Sequence, residues 1–246
     1  MYKLIKKTIK KIFHFFNIDI KFFTPYSDEQ QLVKTLLMYK NIDLVLDVGA
    51  NTGQYASSIR NLGYKGRIIS FEPTASAHKV LKANKLNIEV YDKCAIGQID
   101  GNIEINISRN SVSSSILEIK SEHTAAEPTS EYISREKVQI LKLDSIIDKN
   151  LSWLKSNIYL KIDTQGFEFN VLLGLEKYLR NISVLQIEIS LVELYEGQPN
   201  WKKILEYMEI NNFEIWTIIP GFCDPKTGKL LQVDFIFSNK FNENNI

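Results

Sequence analysis

Asp47-Val48-Gly49-Ala50-Asn51-Thr52-Gly53-Gln54 stands where a short apolar run, residues 43–48, gives way to a helical pattern over residues 54–62. An apolar run of that length closed by glycine predicts a buried strand, so the stretch opens a βαβ unit. Working outward, strand-type runs recur at 66–71, 88–91, 158–163 and 184–189, and helical patterns at 74–84, 167–179 and 201–211. This alternation predicts an α/β fold with a mostly parallel sheet covered by helices on both faces. Two last runs, 213–218 and 233–237, flank the turn-rich residues 220–228 and predict a terminal hairpin with an antiparallel strand near the sheet edge.

The glycine turn also carries chemistry. Gly49 and Gly53 permit a tight turn and close approach of a ligand to backbone, and the helix that follows offers free N–H groups. The spacing is GxxxG rather than the GxGxxG of a dinucleotide fingerprint, which weakens a nicotinamide reading. Asp47, just before the turn, disfavours a nearby pyrophosphate but suits a ligand bearing ammonium and sulfonium charges, as S-adenosylmethionine does. Glu72 closes the next strand, 23 residues beyond Gly49, where a carboxylate can accept both ribose hydroxyls. Cys94 and Ala95 follow the third strand, where an adenine pocket is expected.

A second constellation begins at Lys161-Ile162-Asp163-Thr164-Gln165-Gly166. If its strand lies beside the first, Asp163 emerges at the switch point where ligands bind; its plain structural alternative is the cap of the next helix. Glu188 is an acid within an apolar strand, and such acids usually have a partner or a task. Of the three histidines, His14 belongs to a basic helix and His78 to an expected surface helix, whereas His123 sits in an irregular Ser-, Glu- and Thr-rich insertion, about 106–137, from which it could swing over a substrate. Asp163 is the first candidate for a base, with Glu188 and His123 in reserve. No carboxylate spacing specifies a metal, so a divalent ion is without support from the sequence.

The segments DVGANTGQY, ISFEP, SVSSSIL, LKLDSII, LKIDTQGFE, IEIS and LYEGQPNW, in this order across residues 40 to 238, resemble the FkbM family of S-adenosylmethionine-dependent methyltransferases. The resemblance implies a Rossmann-like class I methyltransferase fold, a seven-stranded sheet of order 3-2-1-4-5-7-6 with strand 7 antiparallel. It implies methyl transfer to hydroxyl oxygens of sugars and secondary metabolites. It assigns cofactor contacts to Asp47, Gly49, Asn51, Gly53 and Glu72, with Gln54 beside them, and draws attention to Ser114, Ser115 and Asp163 near the methyl group. Tyr195 and Trp201, in LYEGQPNW, are expected in the acceptor pocket, stacked on a sugar face. Family members often carry an acid before the glycine of the KID motif, whereas this chain has Gln165, which puts a metal or base role for that position in doubt. The alternatives are a non-catalytic nucleoside-binding module and a nucleotide-sugar oxidoreductase; the second needs an acid/base pair that the sequence lacks.

Composition sets the bounds. The 246 residues are 44% hydrophobic and carry a net charge of +1, so the whole surface is no basic field for non-specific nucleic-acid binding. Nucleic acid is therefore not expected as a partner. The two cysteines, Cys94 and Cys223, form no CxxC pair and no disulfide framework, and a cytoplasmic setting fits them best. Residues 1–22 hold six lysines and one aspartate, a local +5 that leaves −4 to the rest. Apolar residues there recur every three or four positions, which predicts an amphipathic helix too short to span a bilayer. It serves equally as a peripheral anchor on an anionic inner leaflet or as a first helix docked on the domain. Residues 1–39 are thus expected as a helical extension before a methyltransferase domain at 40–240.

Overall fold

A computed structural model describes residues 2–18, 20 and 29–241. The sequence also predicts a hinge at Thr24-Pro25, a helix starting at Asp28 and an Asn-rich tail at 242–245, and these positions lie outside the described residues. In chain order the elements are α1 (Tyr2–Phe15), α2 (Glu29–Tyr39), β1 (Leu44–Val48), α3 (Gln54–Asn61), β2 (Arg67–Phe71), α4 (Ala75–Ala83), β3 (Glu89–Val90), β4 (Ala95–Ile96) and β5 (Gly101–Ser108). There follow α5 (Ser121–Ala126), β6 (Tyr132–Leu141), α6 (Leu143–Asp148), β7 (Ile158–Ile162), α7 (Glu168–Leu173), β8 (Ile182–Ser190), α8 (Trp201–Ile210), β9 (Phe213–Pro220) and β10 (Gln232–Asn239).

The main sheet runs β3-β2-β1-β7-β8-β10-β9. Counting only its own strands, that is 3-2-1-4-5-7-6, with β10 antiparallel to both neighbours as the terminal hairpin predicts. β1 and β7 are buried along their whole lengths because helices cover both faces. Successive residues therefore feed opposite cores. Leu44, Leu46, Val48, Leu160 and Ile162 join Ile146, Leu172 and Met208 on one side, while Val45 and Tyr159 join Leu36, Ala56 and Ile59 on the other. α2, expected as part of an extension, supplies Val33, Leu36 and Leu37 to that second core and so packs as part of the sheet domain.

Two expectations change. The insertion is not irregular throughout: β4, β5 and β6 form a separate sheet of order β4-β6-β5, with Ala95, Ile105, Val138 and Ile140 packed on Phe167. One face of this sheet is wet, which is why its strands are rich in polar residues. The helix expected over 167–179 stops after Leu173. A Cβ on Gly174 would lie 2.0 Å from the carbonyl oxygen of Gly97, so the chain there passes backbone to backbone and leaves the helical path.

Candidate functional site

β1 lies between β2 and β7, which makes its carboxyl end the switch point of the sheet. The Asp163 amide donates to the Val48 carbonyl at 3.0 Å, and a Cβ on Gly49 would fall 1.8 Å from the Asp163 carbonyl oxygen. Gly49 has φ +83°, so the turn requires glycine twice over, for its conformation and for its contact. Around this close approach opens a cavity of about 220 Å3. Asp47, Gly49, Asn51, Gln54, Glu72, Cys94, Ala95, Ser114 and Asp163, all expected from the sequence, line it.

Its acids differ in state. Asp47 is 1% exposed and takes one long hydrogen bond from the Ser70 hydroxyl, 3.4 Å; burial pushes its carboxyl from the usual 3.8 to about 7, despite the nearby Lys161 ammonium. Glu72 is also raised by burial, and it organises the turn: Oε2 accepts the Asn51 amide at 2.9 Å, while Oε1 accepts the Thr74 amide at 2.8 Å and its hydroxyl at 2.5 Å. Asp163 behaves oppositely. Burial would raise it, but Lys161, whose Nζ donates to Oδ2 at 2.9 Å, holds it below the usual carboxylate range. Lys161 is itself buried and stays charged because Asp163, Asp234 and Glu188 surround it.

Behind Asp163 a side chain bridges two carboxylates. Gln165, at φ +55°, donates from Nε2 to Asp163 Oδ1 at 2.9 Å and to Glu188 Oε2 at 2.6 Å, and its Oε1 accepts the Tyr195 hydroxyl at 2.6 Å. Gln232 donates a further bond to Glu188 Oε2 at 2.7 Å. Burial, with Asp163 and Asp234 nearby, pushes Glu188 well above the usual range. An amide thus stands between the two acids. Among the described residues no group of three or more His, Cys, Asp or Glu side chains is arranged to hold a metal.

Not every expected residue reaches the cavity. Gly53 (φ +93°) shapes the start of α3 without joining the wall. Glu188 and Ser115 lie behind it; the Ser115 hydroxyl donates to the Gln165 carbonyl at 2.6 Å and accepts the Leu117 amide at 3.0 Å. Tyr195 is fully buried, so its ring offers no face to a sugar, and Trp201 packs against the core at the start of α8. His123 does not line the cavity: it lies in α5, 3% exposed, with Tyr195 edge-on at 5.2 Å and Phe222 at 5.4 Å, and burial lowers it to about 4. His78 is likewise not a surface residue, being buried with Nε2 2.9 Å from the Tyr91 carbonyl. Sequence reasoning missed Lys161 and Phe167. A lysine inside the apolar strand IYLKI was the available signal for the first; Phe167 is brought to the wall by the small sheet and carried none.

Residues 47–215, more than half of the chain, match the model of the methyltransferase FkbM domain. The chain belongs to the FkbM methyltransferase family. No curated protein matches it significantly. Among solved structures the FkbM chain is similar to an O-methyltransferase from Bacillus cereus in complex with SAH, at 13% identity and TM-score 0.43, over 95% of this chain and 90% of that one. It is also similar to a putative RNA methyltransferase from Pyrococcus horikoshii (15%, TM-score 0.42, 85% and 83% covered). A precorrin-6y C5,15-methyltransferase from Geobacter metallireducens follows at 12% and 0.39, with 85% and 87% covered. The family assignment rests on the sequence match and on none of these likenesses. Within the FkbM domain, the matched span begins at Asp47, the acid that opens the glycine turn, and contains every residue placed in the cavity wall.

Proposed function

We propose that this FkbM domain binds S-adenosylmethionine in the cavity and transfers its methyl group to a hydroxyl of a sugar or glycoconjugate. The observation that carries the cofactor reading is the composition of the wall. Three carboxylates, Asp47, Glu72 and Asp163, meet one ammonium, Lys161, so the site favours a cation, and Phe71, Ile96, Ile105 and Val112 add apolar surface for a flat base. Asp47 would face the ammonium group, Glu72 the ribose hydroxyls, and Phe71, Cys94 and Ala95 the base, with Gly49, Asn51 and Gln54 shaping the turn. When bound, the cofactor supplies a sulfonium methyl group, an electrophile open to an oxygen nucleophile.

The chain's own part is alignment and proton transfer. Asp163 is held ionised by Lys161 and a third of its side chain is exposed, 33%. It is the one member of the trio Asp163, Glu188 and His123 on the wall, and in this reading it orients the acceptor hydroxyl and takes its proton. Ser111, Val112 and Ser114, on the loop over the cavity, stand where an acceptor would meet it. The sugar class rests on the family resemblance of the sequence. Titration calorimetry with S-adenosylmethionine and, separately, NADH tests the cofactor; mass spectrometry over a panel of sugars, nucleotide sugars, glycolipids and one RNA oligonucleotide tests the acceptor. A mass gain of one methyl on a sugar supports the proposal. A gain on RNA, binding without transfer to any member, or absence of cofactor binding overturns it at the acceptor, catalytic or cofactor level respectively.

A further inference from the structure

The apolar stripe of α1 faces water. Ile5, Ile12, Phe13 and, one residue past the helix, Phe16 are 51%, 54%, 38% and 65% exposed. At 100° per residue they and Ile9 fall within one arc, Lys6 borders it, and Lys7, Lys10 and Lys11 lie on the other side, which they share with the exposed Leu4 and Phe15. No acid occurs between residues 2 and 18. A continuous apolar face of this kind marks a surface that something covers.

Charge selects the occupant. A second copy of the helix would cover the stripe but leave the lysines of both copies on the outer sides, without a counter-charge. A nucleic acid would neutralise the lysines and leave isoleucine and phenylalanine in water. An anionic bilayer surface answers both arcs at once, with aromatic and aliphatic side chains at the acyl boundary and ammonium groups among the headgroups. Length agrees with a helix lying in the plane: fourteen residues extend about 21 Å. No helix among the described residues is long and apolar enough to cross a membrane.

We propose that α1 is a docking element for an anionic lipid bilayer, lying in the interface with Ile5, Ile9, Ile12, Phe13 and Phe16 inserted and its lysines towards the headgroups. The test uses the full chain, sedimented with vesicles of phosphatidylcholine alone or with about 30% phosphatidylserine, in low and high salt. Binding to the anionic vesicles is expected to be at least about tenfold tighter than to the neutral ones and to weaken about tenfold in high salt, since headgroup charges are screened within a Debye length. The variants Ile5→Glu/Phe13→Glu and Lys7→Glu/Lys10→Glu/Lys11→Glu are each expected to lose it, with the thermal midpoint of the sheet domain unchanged. Equal binding to both vesicle types, or none to either, overturns the proposal. So does self-association of the wild type that both variants abolish without vesicle binding, which assigns the stripe to a second copy.

Discussion

Asp47→Asn is expected to make the protein more stable and its cofactor binding weaker. In the folded chain burial raises this carboxyl from 3.8 to about 7, so between those values the folded state keeps a proton that the unfolded state has released. Stability therefore falls as pH rises through that window, and the loss is complete above pH 7. A shift of about three units corresponds to about 4 kcal/mol in full, of which about 2.5 kcal/mol accrues between pH 5 and pH 8. Asparagine cannot ionise and removes this component. Urea unfolding of wild type and variant at the two pH values reads it: at a slope of about 2 kcal/mol/M, the variant's advantage in midpoint should grow by roughly 1.2 M from pH 5 to pH 8. Glu168, raised by burial to about 7 as well, contributes to both proteins and cancels in the difference. In parallel, S-adenosylmethionine affinity of the wild type should rise about tenfold per pH unit below 7, and the variant should lack that rise. Parallel stability profiles, differing by a constant across the range, would refute the claim that burial raises the Asp47 carboxyl.

Three further outcomes are expected. Asp163→Asn should lower turnover by about a hundredfold or more on whichever acceptor is methylated while changing the cofactor Kd less than about fivefold; near-normal turnover would remove Asp163 from the proton transfer. Gly49→Ala places a Cβ 1.8 Å from the Asp163 carbonyl oxygen at φ +83°, so thermal unfolding should show a loss of at least about 3 kcal/mol, and a wild-type midpoint would mean that the turn after β1 does not pass against the Asp163 backbone. Cys94 is buried with its thiol pushed up to about 12, whereas Cys223 is exposed. Iodoacetamide at pH 8 should therefore add one equivalent to the native protein and two in denaturant, with two on the native protein contradicting the burial.

What could be read from the sequence was what the chain specifies locally. The β1 run, the glycine turn and the start of α3 follow from neighbouring residues, and with them the positions of Asp47 and Asn51; Glu72 and Asp163 were placed by being last on strands whose order the fold class dictates. Groups that depend on distant chain were not legible. Gln165 was recognisable as a departure from the family motif, but its bridge to Glu188 spans two strands and its bond to Tyr195 spans 30 residues. His123 was misjudged for the same reason, since Tyr195 and Phe222 enclose it from far along the chain. The small sheet could have been found: Ile103, Ile105 and Ile107 alternate with polar residues, the period of a half-wet strand. The early end of α7 could not, because it answers to a backbone contact with Gly97.

The roof of the cavity is a single excursion, residues 109–131, leaving β5 and returning to β6 where Ser108 and Tyr132 sit side by side. Its two feet are fixed by the ladder below, and it reaches the cavity through Ser111, Val112, Ser114 and Ile116. Lengthening such a loop is thermodynamically mild, about 0.6 kcal/mol for each doubling. The residues proposed to hold the cofactor, Asp47, Glu72 and Asp163, stand instead at the ends of β1, β2 and β7, outside this excursion. If the proposed function holds, acceptor choice is a property of this one loop, whose ties to distant chain, Ser115 to Gln165 and His123 against Tyr195 and Phe222, set which of its residues are free to vary.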